Sequence, residues 1–130
     1  MIRVYVSKQL NYPISSVKVK KFLVSFFKNN GIVSDASCIV SFVNENKMKE
    51  IGKKYYKKDD RIHNVFSFVE SEVKDSSHFQ QKGVLNLGEI IVCFPVVVKE
   101  ATSEGKLIED KVLELVEHSA LHLLGVHHKE

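Results

Sequence analysis

The segment His118–His128, reading His-Ser-Ala-Leu-His-Leu-Leu-Gly-Val-His-His, constrains this chain more than any other. The sequence holds six histidines, and four of them stand here. His118 and His122 are four residues apart, a spacing that puts both on one face of an α-helix, one turn apart. At about 100° per residue, Ile108, Val112, Val116 and Leu123 fall in one apolar stripe, with the two histidines on its flank about 40° apart. A helix from Lys106 to Leu124 is expected, with its histidines at the rim of the core rather than on the solvent face. Gly125 is expected to stop it, because glycine accepts the left-handed conformation that ends helices. A turn there can bring a third imidazole, from His127 or His128, to the point where the first two converge. Three neutral imidazoles form the ligand set of an open zinc site whose fourth position is left to water, an arrangement suited to hydrolysis. Ordinary surface histidines are the plain alternative, but this cluster interrupts an amphipathic pattern and is followed by a helix stop.

Zinc peptidases of the H-E-x-x-H type place a glutamate, the general base, directly after the first histidine. Here that position is Ser119, and Glu117 lies on the other side of His118, about 100° away around the helix. The peptidase reading therefore lacks its key group.

A chain of 130 residues with 44% hydrophobic content suits one soluble globular domain, residues 1–130. Ile2, Val4 and Val6 alternate with polar residues as in a half-buried strand. Ser15 or Ser16 can cap a helix to Asn29 that carries Val19, Phe22, Leu23, Phe26 and Phe27. A strand over Ser37–Val43, a helix over 45–55 capped by Asn44, and strands over Asn64–Val69 and Leu85–Cys93 follow. A short helix over 94–103 is entered through Pro95. The polar stretch 71–83, which contains His78, reads as a loop. The order β-α-β-α-β-β-α-α, without strict alternation, predicts an α+β fold: a mixed four-stranded sheet packed with helices, the metal site at the end of the C-terminal helix.

Cys38 and Cys93 sit in apolar runs with no C-x-x-C pair and read as buried thiols of a reducing compartment. The N-terminus does not have the form of a signal peptide, and no apolar run reaches the roughly 18 residues a membrane span needs. A cytoplasmic protein is expected, with no membrane partner. The net charge of +3 leans weakly toward polyanions. Residues 47–61 are more telling: Lys47, Lys49, Lys53, Lys54, Lys57, Lys58 and Arg61 stand against Glu50, Asp59 and Asp60, with Tyr55 and Tyr56 interleaved. Such a segment can draw in phosphates and stack on unpaired bases, or it can be a solvated lysine-rich helix face. Glu89, in an apolar strand, is either paired in the structure or turned toward a site. His63 reads first as a structural residue.

His118-x-x-Leu121-His122-Leu123-x-Gly125-x-x-His128 resembles the signature of the YbeY family of bacterial single-strand endoribonucleases, which act in ribosomal RNA maturation. Two upstream segments are similar to the family as well: Tyr56 to Phe68, ending Asn64-Val65-Phe66-Ser67-Phe68, and Leu87-Gly88-Glu89-Ile90. Glu100-Ala101 matches a recurrent pair before the last helix. The resemblance covers about residues 36–128. It implies a small α+β domain with one zinc ion held by His118, His122 and His128. It also implies single-stranded or ribosomal RNA as substrate, processing of the 16S 3′ end, and contact with the ribosome or small-subunit proteins; DNA is not expected. Lys57 stands where the family has an arginine linked to nuclease function. It is the expected catalytic residue, with Lys53, Lys54, Lys57 and Lys58 guiding RNA. A lysine contacts phosphate as a point charge and lacks the bidentate fork of arginine. Ser119 replaces a glycine, His127 an aspartate, and Ile62-His63 a Pro-Thr pair. Two alternatives stand beside an endoribonuclease. One is a non-catalytic ribosome-assembly or RNA-binding module with structural zinc, and the other is a metal-dependent hydrolase of peptides or small substrates.

Overall fold

The computed structural model describes residues 1–55, 61–69 and 83–127, with residues 126 and 127 described by backbone alone. The elements are β1 (Ile2–Lys8), α1 (Ser16–Asn29), β2 (Ala36–Val43), α2 (Glu45–Tyr55), β3 (Val65–Phe68), β4 (Leu85–Cys93), α3 (Phe94–Glu104) and α4 (Ile108–His127). Their order is the expected one. The proposed loop over 71–83, with His78, lies almost wholly outside the described residues.

Local chemistry sets most of the boundaries. Ser15 caps α1 by accepting from the Lys18 backbone N–H at 3.2 Å, and Asn44 caps α2 by accepting from the Lys47 N–H at 2.8 Å. Each satisfies a donor that the first helical turn leaves open. Pro95 fits the first turn of α3, where its missing N–H costs nothing. Gly105, with φ 69°, closes α3 in the left-handed conformation.

The four strands form one mixed sheet in the order β1-β2-β4-β3. β1 pairs with β2 and β2 with β4 in parallel, and β3 runs antiparallel to β4. Parallel neighbours need a crossover, which α1 supplies between β1 and β2. Alternation along the strands then sorts residues onto two faces. One face carries Val4, Cys38, Val40, Ile90 and Val92, packed with Val19, Leu23 and Phe27 of α1 and Val112, Val116 and Leu123 of α4. The other is smaller and only partly covered: Met48 of α2 packs with Val43, Phe66, Phe68, Ile91 and Cys93. Ser7, Ser41 and Glu89 share that second face beyond the cover of α2.

Among the described glycines, Gly88 has the closest surroundings. It lies beside an irregularity in the β2–β4 register, between Ser37 and Cys38, and has φ 138°. A Cβ there would stand 2.2 Å from the Phe68 carbonyl oxygen and 2.9 Å from Leu123 Cδ2. Glycine alone lets β3, β4 and α4 meet at this distance. Gly88→Ala is expected to cost about 2–4 kcal/mol through backbone strain and overpacking, read as a lower urea midpoint.

Between α3 and α4, Lys111 donates to Glu104 at 3.0 and 3.1 Å and to Glu114 at 3.3 Å; Lys106 donates to Glu114 at 2.6 Å. The Lys111 bond holds the Glu104 carboxyl below its ordinary value, and the Lys106 bond does the same for Glu114. A depressed carboxyl stabilises the fold above its unfolded pKa, ordinarily 4.5, and loses that contribution as pH falls through the lower folded pKa. Glu104→Gln should therefore flatten the decline in stability below about pH 4.5, in acid titrations followed by circular dichroism. High salt should shrink the difference, because both carboxylates are exposed.

Candidate metal centre and nucleic-acid interface

In α4, Leu115, Val116, Ser119, Ala120, Leu123 and Leu124 are buried, while Glu117, His118, Leu121 and His122 are exposed. The expected apolar stripe is present, but the histidines stand on the solvent side of it, not at the rim of the core. The reason is the burial of Ser119 and Ala120: small residues let that side of the helix sit close to the sheet and turn positions 118 and 122 outward. Two imidazoles one turn apart on an exposed face can share a ligand, since i,i+4 side chains are neighbours.

The helix does not stop at Gly125; it continues through His127. Among the described residues the left-handed glycines are Gly31, Gly83, Gly88 and Gly105, not Gly125. An interior glycine costs about 1 kcal/mol relative to alanine but forbids nothing, and buried Leu123 and Leu124 anchor the turn before it. His128 lies outside the described residues, as do Lys57 and Lys58. Among the described residues no three His, Cys, Asp or Glu side chains are gathered to hold a metal. The structure thus brings together two of the three expected ligands, His118 and His122.

Lys53 and Lys54 are exposed at the end of α2, directly before residues 56–60. Lys54 Nζ lies 5.4 Å from the centre of the Tyr55 ring, and that ring sits against Phe68, centroids 4.6 Å apart. Of the basic segment, Lys47 and Lys54 border a groove along the second face of the sheet; Lys53 does not. Glu89 lines the same groove and accepts from Ser41 Oγ at 3.4 Å. Glu89 is therefore both paired and turned toward an open surface. Ser7 and Ser41 were not singled out as site residues from the sequence. Their signal was a small polar residue at a position where the strand pattern leaves one face unfilled.

Asn64 Nδ2 donates to Glu100 Oε1 at 2.9 Å, and the Asn64 carbonyl accepts from the Cys93 N–H at 2.8 Å. Residue pairs far apart in sequence thus lock β3 to the β4–α3 junction. The His63 ring packs on Phe66, centroids 4.8 Å apart, in keeping with a structural role. Both cysteines are free and buried. Burial, and then the nearby Glu89 charge, push the Cys38 thiol up to about 12; burial raises Cys93 as well. Neither is poised as a nucleophile.

Comparison with known proteins bears on this arrangement. Residues 6–130 match the protein family described as Endoribonuclease YbeY, a wider span than the sequence motifs alone covered. The Endoribonuclease YbeY of Macrococcus caseolyticus is 32% identical over 111 residues, which are 85% of this chain and 71% of that protein. That of Staphylococcus carnosus is 35% identical over 102 residues, 78% of this chain and 65% of the relative. That of an Azoarcus species is 30% identical over 125 residues, 96% of this chain but 48% of the relative. In fold, the chain is similar to the solution structure of a Thermotoga maritima protein, with a TM-score of 0.55 at 22% identity over 92% of this chain and 71% of that one. With its mixed four-stranded sheet, its histidine-bearing last helix and a family match over nearly its whole length, this chain belongs to the endoribonuclease YbeY family.

Proposed function

We propose that this chain, as one domain over residues 1–130, is a metal-dependent endoribonuclease that cuts single-stranded RNA and acts in ribosomal RNA maturation, at the 16S 3′ end. The observation that carries the reading is the exposed His118–His122 pair, one turn apart on the last helix of a chain that belongs to an endoribonuclease family. Imidazoles suit a zinc ion as ligands: His118 and His122 stand one turn apart on one helix face, and His128 is the proposed third ligand. Such an ion would lower the pKa of a bound water or polarise a phosphoryl oxygen. The protein's own part is to position RNA beside that point. Lys53 and Lys54 are presented to solvent at the end of α2, and Lys57 and Lys58 follow within one turn's length of chain. Their ammonium groups attract the phosphate backbone without reading sequence. Lys57 is assigned to the scissile phosphate, where a positive charge stabilises the negative charge that develops during cleavage. Ribosomal RNA and the small ribosomal subunit in the cytoplasm are the proposed partners and setting. No helix among the described residues is long and apolar enough to cross a membrane.

Elemental analysis of untagged protein, paired with cleavage of single-stranded RNA, tests the assignment. One zinc per chain is expected in the wild type and in His127→Ala. His118→Ala, His122→Ala and His128→Ala should each lose it, with cleavage reduced by more than the roughly 10–100-fold that an outer hydrogen-bond partner is worth. Full metal content and cleavage in His118→Ala would overturn the site. Zinc and RNA binding without metal-dependent turnover would instead establish the non-catalytic RNA-binding module.

The lysines make a separate prediction. Each phosphate contact on single-stranded RNA contributes about 0.7 to the slope of log affinity against log salt. Lys53→Ala/Lys54→Ala should lower that slope by about 1.4 if both contact phosphate. An unchanged slope in filter binding across a salt series would make them a solvated helix face.

A further inference from the structure

Helix α1 has four lysines, Lys18, Lys20, Lys21 and Lys28, and no acidic residue. Lys18 pairs with Glu109 of α4 at 3.2 Å. Lys20, Lys21 and Lys28 are exposed, and among the described residues none of them has a hydrogen bond or an ion pair. By contrast, Lys47, Lys99, Lys106 and Lys111 each have a carboxylate partner. At about 100° per residue the three unpaired lysines fall within an arc of about 100°. Lys21 and Lys28 stand two turns apart, about 10.5 Å along the axis. α4 packs beside α1. Of its carboxylates, Glu109 pairs with Lys18 and Glu114 with Lys106 and Lys111, and Asp110 and Glu117 bond to none of the three lysines.

The two helices lie on one face of the sheet and run toward the same end of it. The Lys18–Glu109 bridge joins their starts. α1 leads into β2, whose first residue Ala36 pairs with Leu85, and α4 brings Leu123 against Gly88, three residues further along β4. From the bridge, Lys28 lies ten residues along α1 and His118 nine residues along α4, about 15 Å and about 14 Å respectively. The basic row of α1 thus ends level with the histidine pair. Ammonium groups on a rigid helix attract phosphates as point charges. Stacking on unpaired bases needs open rings as well. The rings of α1 are not open: Phe27 is buried, and Phe22 and Phe26 stack on each other, centroids 6.4 Å apart, and pack against the core. The basic segment 47–61 differs, because Tyr55 and Tyr56 are interleaved with its lysines. A face with cations and no rings suits a nucleic acid whose bases are already paired, where a protein meets backbone and shape. We propose that the outward face of α1 docks the phosphate backbone of a base-paired RNA stem through Lys20, Lys21 and Lys28, and presents the single strand that leaves the stem to the histidines of α4. The inference rests on the proposed RNA function and deepens it: the substrate is a single strand joined to a stem.

The test compares an RNA hairpin that carries a single-stranded tail with the tail alone, each by filter binding across a salt series and by cleavage. The wild type should bind the tailed hairpin about tenfold more tightly, the scale of three exposed ion pairs. Lys20→Ala/Lys21→Ala/Lys28→Ala should remove that advantage and leave the affinity for the tail alone unchanged. Each phosphate contact on a duplex contributes about 0.9 to the salt slope, so the slope for the tailed hairpin should fall by about 2.7. Alanine is the best helix former, so α1 should keep its helicity, which circular dichroism checks. Lys20→Arg/Lys21→Arg/Lys28→Arg keeps the charges and should keep the advantage. Equal binding of the two RNAs by the wild type, an equal loss for both in the alanine variant, or an unchanged slope would overturn the docking face. Tighter binding to vesicles of phosphatidylglycerol and phosphatidylcholine than to the tailed hairpin, lost in the alanine variant, would assign α1 to a membrane surface and overturn it as well. Cleavage of the tail separates this inference from the parent reading. Tail cleavage with no stem advantage overturns the docking face alone. A stem advantage lost in the alanine variant, with neither RNA cleaved by the wild type, leaves the face standing and overturns the endoribonuclease.

Discussion

The structure depends on how closely α4 can approach the sheet, and Gly88 decides that distance. No side chain fits between its Cα and the Phe68 carbonyl or Leu123. The φ of 138° excludes other residues on conformational grounds as well. Leu123 sits one residue after His122, so the depth of that contact sets where the histidine face emerges. The short β3, Val65–Phe68, is held from both sides, by Glu89–Ile90–Ile91–Val92 in the antiparallel ladder and by the Asn64–Glu100 bond at its start. Together these contacts make a rigid corner beside α4.

The two faces of the sheet are filled for different purposes. The face under α1 and α4 is apolar throughout and contains the largest fully buried side chains, Phe27, Phe42, Leu23 and Leu87 among them. The face under α2 is apolar where Val43, Met48, Phe66, Phe68, Ile91 and Cys93 meet. Beyond them the same strands present Ser7, Ser41 and Glu89. A single strand therefore carries both functions by alternation: β4 sends Ile90 and Val92 into the main core and Glu89 to the open surface. Burying a carboxylate in the main core would cost several kcal/mol unless it were paired. On the second face, Glu89 keeps a hydroxyl partner and access to solvent.

Charge is placed in a similarly divided way. Lys111 is buried along its stem and neutralised by Glu104 and Glu114, where it ties α3 to α4. Lys53 and Lys54 are exposed at the end of α2, directly before residues 56–60. The first set acts on the fold, and the second is the proposed contact with RNA. Composition does not distinguish them, since all are lysines in helices. Their neighbours in three dimensions do.

The sequence by itself determined the element order and most boundaries, because these follow from local rules. Ser15 and Asn44 cap the helices they were expected to cap. Pro95 opens α3, and Leu85–Cys93 forms the strand its apolar run predicts. Periodicity also sufficed to place His118 and His122 on one face of one helix, since a four-residue spacing has only one meaning there. It did not determine how that helix is turned against the sheet. The rim position expected for the histidines came from an apolar stripe that left out Ser119 and Ala120, and both are buried. The expected stop at Gly125 failed for a related reason: glycine permits a helix end without requiring one, and packing of Leu123 and Leu124 carried the helix on. Nor could local pattern bring Ser7, Ser41 and Glu89 into one row. They come from three strands, and strand order and register are long-range choices that the sheet makes only when it is assembled.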